Sequence, residues 1–271
     1  MMSGPIRIAA QLHPQHGAYA GLRVAVSAAE SLGYDLAYDW DHFFPLYGDR
    51  DGAHFEAWTM LGAWAEQTSR IELGALVTCN SYRNPNLLAD MARTVDHISG
   101  GRLVLGLGGG WAQRDYREYG YEFGSRATRL QAMTESLVVI RDRWTRLNPA
   151  PLRRIPILIG GSGERFTLRA VAAHADGWHA GFPDQPSELE PKVAALLRWC
   201  DELGRDPAEI EWGVGVEPTD LDRFLARDAA TYVAMGFRQF TLGFEGPDWD
   251  VGRGADWLAW RDEQNRARPA A

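Results

Sequence analysis

An apolar run, a turn and an amphipathic segment follow one another eight times along this chain. That alternation constrains the fold more than any other feature. The clearest unit is Ile155–Gly163, I-P-I-L-I-G-G-S-G, where a buried strand runs into a glycine turn and a helix is expected to open at Glu164 and continue to Ala175. The other strands are expected at Ile6–Leu12, Asp35–Trp40, Arg70–Thr78, Arg102–Leu107, Gly177–Ala180, Ile210–Val216 and Phe237–Phe244. The other helices are expected at Gly21–Leu32, Phe55–Gln67, Asn86–Ile98, Ser125–Trp144, Pro186–Leu203, Leu221–Met235 and Gly254–Arg266. Eight strand–helix units in 271 residues predict an α/β fold, a (β/α)8 TIM barrel forming a single domain over residues 1–271. An open Rossmann-type sheet is the runner-up. Its fingerprint fails, because Gly106 and Gly108 are followed by Trp111 where a third glycine belongs. No Gly-Lys-Ser/Thr follows either glycine loop, so a phosphate-binding P-loop is also missing.

Composition narrows the partners. Net charge is −8 with no basic run, which argues against nucleic acid. No apolar stretch approaches the ~20 residues of a membrane span, and the N-terminus lacks a signal-peptide pattern. Cys79 and Cys200 are too far apart in sequence to suggest a disulfide framework, so a reducing cytoplasm is the expected compartment. Lys192 is the only lysine among 28 basic residues, a bias expected of a GC-rich bacterium. An apolar, Trp-rich barrel exterior would suit a homodimer.

In such a barrel the loops after the strands form the reactive face. They carry His13 and His16 after strand one, Asp41 and His42 after strand two, and Thr78–Arg83 after strand three. Gly108–Trp111 follow strand four, Gly160–Gly163 strand five, and Trp178 and His179 sit at strand six. Asp41-His42 is the expected chemical pair, since a carboxylate beside an imidazole can fix its tautomer or raise its pKa. The plainer alternative is a capping Asp and a His satisfied by backbone. Gly160–Gly163 before a helix form an anion loop, because amides and helix dipole point the same way. His13, Trp40, Trp111, Trp178 and His179 are expected to wall a substrate pocket, although many rim aromatics merely pack. His13-x-x-His16 has a proline inside and no later His pair, so no metal is expected. Cys79 has no activating neighbour, and no Gly-x-Ser-x-Gly elbow occurs.

Several segments together resemble a known family. They are D-H-F-F-P at 41–45, L-V-T-C-N-S-Y-R-N-P at 76–85 and S-G-G-R-L-V-L-G-L-G-G-G-W at 99–111. D-Y-R-E-Y-G at 115–120, I-P-I-L-I-G-G-S-G-E at 155–164 and H-A-D-G-W at 174–178 complete the set. The chain resembles the luciferase-like monooxygenase superfamily, specifically its coenzyme F420 (deazaflavin)-dependent oxidoreductases. The resemblance implies a cytoplasmic enzyme that moves a hydride between F420 and a small organic substrate. It implies that His42 acts as acid, base or polarising group, and that Asp41 orients ring or imidazole. Val77, Thr78 and Asn80 match the segment behind the cofactor ring, which in this family often contains a non-proline cis peptide. Gly108, Gly109 and Gly110 match a ring contact, and Gly160, Gly161, Ser162 and Gly163 match the loop holding the cofactor phosphate. Thr145–Arg154 is a short connection before strand five, which implies an open substrate site. The alternatives are an FMN-dependent monooxygenase that uses oxygen and a non-catalytic flavin- or deazaflavin-binding protein.

Overall fold

The computed structural model describes residues 4–267. Nine parallel strands run in the order β3-β2-β1-β9-β8-β7-β6-β5-β4. They are β1 Arg7–Leu12, β2 Leu36–Asp39, β3 Glu72–Ala75, β4 Thr78–Cys79, β5 Leu105–Gly108, β6 Ile157–Gly160, β7 Gly177–His179, β8 Glu211–Val216 and β9 Gln239–Phe244. β3 and β4 are two halves of the expected third strand, interrupted at Leu76–Val77, whose peptide bond is cis. The barrel therefore has eight staves. A parallel bridge between Leu73 and Leu103 closes it, with Val104 N–H donating to Leu73 O at 2.8 Å.

Period-two alternation sorts each strand's side chains into two layers. Ile8, Ala10 and Leu12 face outward under the helices, within the main core. Ala9, Leu36, Tyr38, Leu76, Val104 and Leu158 fill the barrel interior. At the N-terminal end of the barrel Arg7 pairs with Glu72 and with Glu211. The upper interior is lined by Gly106, Gly108 and Gly160, and the side chain of Val77 seats over all three, since a Cβ at any of them would meet it.

The outer ring is α1 Tyr19–Leu32, α2 Ala57–Gln67, α3 Pro85–Ser99, α4 Gln113–Tyr119, α5 Arg126–Arg146, α6 Thr167–His174, α7 Glu190–Leu203, α8 Leu221–Arg227, α9 Ala229–Met235 and α10 Ala255–Arg266. Local chemistry sets the ends. Asn84 caps α3 ahead of Pro85, and Ser125 forms a capping box with Thr128 at the start of α5. Pro191 sits in the first turn of α7, where a missing N–H costs nothing, so that helix starts later than Pro186.

Two further expectations change. Leu221–Met235 is two helices, because the chain turns at Asp228 (φ −116°), whose buried carboxylate takes Arg227 at 2.7 Å. The helix expected from Glu164 begins at Thr167, and the intervening residues form a turn closed by Leu168 N–H to Gly163 O at 3.0 Å. The tryptophans are not on the outside either. Trp111 is the exposed one, at 65%, while Trp64, Trp178, Trp212, Trp249 and Trp257 are buried. No helix among the described residues is long and apolar enough to cross a membrane.

Candidate functional site

A cavity of about 530 Å³ opens at the C-terminal ends of the strands. That size is in the range of small-molecule and cofactor sites. It brings together Asp41 and His42 after β2, Val77 and Cys79 at the broken stave, Gly108–Trp111 after β5, Gly160–Ser162 after β6, and His179 on β7. Arg126, Arg129 and Leu130 from α5, with Tyr82, also line it.

Asp41 and His42 are neighbours in sequence but not partners in space. The Asp41 carboxylate is buried and accepts two bonds from Arg83, at 2.5 and 3.0 Å. It also accepts the Cys79 N–H at 2.9 Å, which fastens β4 to the end of β2. Burial lifts the Asp41 carboxyl above its usual range, and the Arg83 guanidinium opposes that lift. The carboxylate that holds His42 is Asp115, with Nδ1 at 2.7 Å from Oδ2. Tyr82 O–H donates to the same oxygen at 2.9 Å, and Phe43 N–H reaches Oδ1 at 3.4 Å. A carboxylate only accepts, so His42 carries its proton on Nδ1 and leaves Nε2 open. An aromatic stack holds this arrangement: Phe43 lies on Tyr119 with centroids 3.9 Å apart, and Trp111 meets the His42 ring edge-on at 5.4 Å. Cys79 is buried with its thiol pushed up by burial, so it has no nucleophile's environment.

The opposite end is built from backbone. Trp178 Nε1–H donates to Gly161 O at 2.9 Å, and Ser162 Oγ–H donates to Ala180 O. The Gly161 N–H is taken by His179 O at 2.9 Å, which leaves it unavailable to an anion. The amides of Ser162 and Gly163 make no hydrogen bond among the described residues. Gly161 has φ +116°, a conformation that disfavours a side chain. Arg126 approaches this loop, since a Cβ on Gly163 would lie 2.9 Å from its Nη2.

Several expected residues lie elsewhere. Thr78 is fully buried, and neither it nor Asn80 lines the cavity. Gly163 lines an adjoining cleft with Arg126, Arg165 and Lys192. His13 and Trp40 stack on each other with centroids 4.3 Å apart, buried and outside the cavity lining, with Trp40 edge-on to His42 at 6.2 Å. Trp178 faces outward and braces the glycine loop. Trp111 and His179 do line the cavity. Asp115, Arg83, Tyr82 and Arg126 carry no site role in the sequence pattern, yet the structure places them at or directly behind the cavity. Asp115 opens the D-Y-R-E-Y-G segment and Arg83 lies in R-N-P, so both were inside noted motifs without an assigned partner.

The luciferase-like monooxygenase family model matches residues 1–268. An uncharacterized protein of Mycobacterium tuberculosis is 32% identical over 210 residues, covering 70% of this chain and 72% of its own length. An F420-dependent secondary alcohol dehydrogenase, solved with an F420-acetone adduct, superposes with a TM-score of 0.81 at 18% identity, over 93% of this chain and 97% of that one. Riboflavin lyase, solved with modified FMN and riboflavin, superposes with a TM-score of 0.76 at 12% identity, over 98% of this chain and 93% of that one. The barrel is thus shared with enzymes of both cofactor types, and the chain belongs to the luciferase-like monooxygenase family.

Proposed function

We propose that this protein is an F420-dependent oxidoreductase that transfers a hydride between the deazaflavin and a small organic substrate. The observation that carries this reading is one continuous cavity joining His42, the Val77–glycine floor and the Gly160–Ser162 loop. Gly106, Gly108 and Gly160 leave room for the Val77 side chain, so this floor presents backbone and one small apolar side chain to a ring. The phosphate end has the free amides of Ser162 and Gly163, the Arg126 guanidinium and the start of α6. The F420-bound structural neighbour supports the choice of deazaflavin.

When bound, the deazaflavin supplies hydride transfer at its central ring carbon. The protein supplies orientation and proton handling. His42 gives or takes the substrate proton at Nε2 while Asp115 holds Nδ1–H and stabilises the charged ring. Trp111 meets the His42 ring edge-on in the cavity lining. Asp41 positions the floor through Cys79 rather than acting on the imidazole.

Titrating the protein with F420 and with FMN, followed by fluorescence, tests the cofactor. F420 is expected to bind at least ~10-fold tighter, a difference of ~1.4 kcal/mol. Binding of FMN alone would overturn the choice. An FMN-dependent monooxygenase is the second reading, favoured by the riboflavin lyase likeness. Oxygen uptake with supplied reduced FMN would establish it.

A further inference from the structure

Of the eleven tryptophans, Trp111 alone is exposed, at 65%, and it lines the cavity. An indole left in water at a site is surface that a ligand can cover. Its position is fixed from behind. Gly110, with φ +76°, has no room for a side chain, because a Cβ there would meet Tyr116 Oη and Cys79 Sγ. Arg129 Nε–H donates to Gly110 O at 3.2 Å, and Ala112 on the other side of Trp111 is buried. The backbone is thus held on both sides of Trp111 while its ring stays uncovered. Among the described residues that ring has no hydrogen bond, and the one ring it meets is the His42 imidazole, with centroids 5.4 Å apart. A substrate of more than a few atoms that meets His42 Nε2 is therefore within reach of the indole. Phe182, also exposed, adds a second aromatic to the same cavity and rests over Gly215.

The charges near His42 disfavour an anion. The carboxylates of Asp41, Glu56 and Asp115 stand around this end, and Arg83 is bonded to the first two. The arginines lining the cavity both come from α5. Arg126 approaches the glycine loop, and Arg129 is anchored on the carbonyls of Gly110 and Phe123 with its guanidinium over the Phe123 ring at 3.9 Å. A carboxylate or phosphate brought against His42 would meet like charge.

We propose that the substrate of this cavity is an uncharged molecule carrying an aromatic ring, and that the Trp111 indole is the surface that recognises the ring. The inference rests on the proposed function in taking His42 as the reacting end.

Three ketones test it: 2-acetylnaphthalene, its fully saturated decalin counterpart, and 6-acetyl-2-naphthoate. Their dissociation constants are measured by ligand-observed NMR on the protein with and without F420. The wild type should bind the naphthyl ketone ~10-fold more tightly than the saturated one, and the carboxylate ~10-fold more weakly than the naphthyl ketone. Trp111→Ala should abolish the aryl preference, and Trp111→Phe should keep part of it. In His42→Ala the preference should survive. An exposed ring is not expected to carry the fold, and a thermal melt of each variant checks this.

The inference is overturned if the wild type binds neither neutral ketone, shows no aryl preference, or binds the carboxylate as tightly. It is also overturned if Trp111→Ala keeps the preference, or if His42→Ala loses it and Trp111→Ala does not. A ~10-fold loss of F420 affinity in Trp111→Ala with the ketone preference intact would assign the indole to the cofactor, and would overturn it as well. A wild type that binds no F420 overturns the proposed function, while the ketone series on the unloaded protein still decides this inference.

Discussion

The cavity has two unlike walls. One is made of charged and hydrogen-bonding side chains: Asp41, His42 and Tyr82, with Asp115 and Arg83 behind them. The other is backbone, formed by Gly108, Gly160 and Gly161 around the Val77 side chain. On the first wall the identity of each residue is its chemistry. On the second the essential property is size, because an added Cβ has nowhere to go. The same kind of substitution should therefore fail for different reasons on the two walls.

The largest contrast is expected at His42. His42→Ala should lower kcat by ~10²–10⁴-fold, the usual range for a general acid or base. Cofactor affinity should stay within ~3-fold, well under 1.4 kcal/mol. A parallel fall in affinity, read by fluorescence titration, would move His42 from proton handling to binding. Next is Arg83→Ala, which strands the buried Asp41 carboxylate and should cost about 3–5 kcal/mol in denaturant melts. Adding Asp41→Asn should recover part of that loss, since the neutral amide needs no counter-charge. On the backbone wall, Gly108→Val places a Cβ 2.5 Å from Val77 Cγ2. Overpacking of this kind costs about 1–3 kcal/mol. Val77→Ala in the same chain should relieve it; no recovery would mean that the glycine serves something other than Val77.

The smallest effect lies beneath the first wall. Asp39 is fully buried, neither carboxylate oxygen has a hydrogen-bond partner among the described residues, and burial with nearby Asp41 raises its pKa well above 3.8. A raised carboxyl adds stability that is complete below its unfolded value of 3.8 and is lost as pH rises through the folded value. Asp39→Asn removes that loss. The variant should melt about 2–4 °C higher at neutral pH for each kcal/mol recovered, and the gap should close in acid. A gap that persists in acid would separate the effect from ionisation.

Much of the barrel was legible in the sequence, because strands and helices alternate in hydrophobic period and end at recognisable caps. The break in the third stave was not. Within Arg70–Thr78, Leu73–Val77 is an uninterrupted apolar run, and nothing in it marks where pairing changes partner. The site was legible where a segment was distinctive, as in Gly160–Ser162 and His42. It was misread where neighbours in sequence were assumed to share a direction. Trp178 and His179 are adjacent on β7, so one must face outward while the other faces in. Asp115 lies 73 residues from His42, and only the folded chain brings the two together.

The interrupted stave has a mechanical consequence. Below the interruption, β3 pairs with β2 through four residues, from Leu36–Glu72 to Asp39–Ala75. Above it, β4 pairs only with β5, at Thr78–Leu107 and Cys79–Gly108. The upper rim therefore has a seam between β2 and β4 that no main-chain ladder crosses. Its fastener is a side chain, Asp41, gripping the Cys79 amide from one side and Arg83 from the other. A rim held by a ladder is joined through several amides, whereas this one is joined through one carboxylate that Arg83 keeps charged and in place. The Cys79 amide is thus the expected reporter for breathing of the barrel mouth, and Arg83→Ala should speed its deuterium exchange more than that of the β1 and β9 amides.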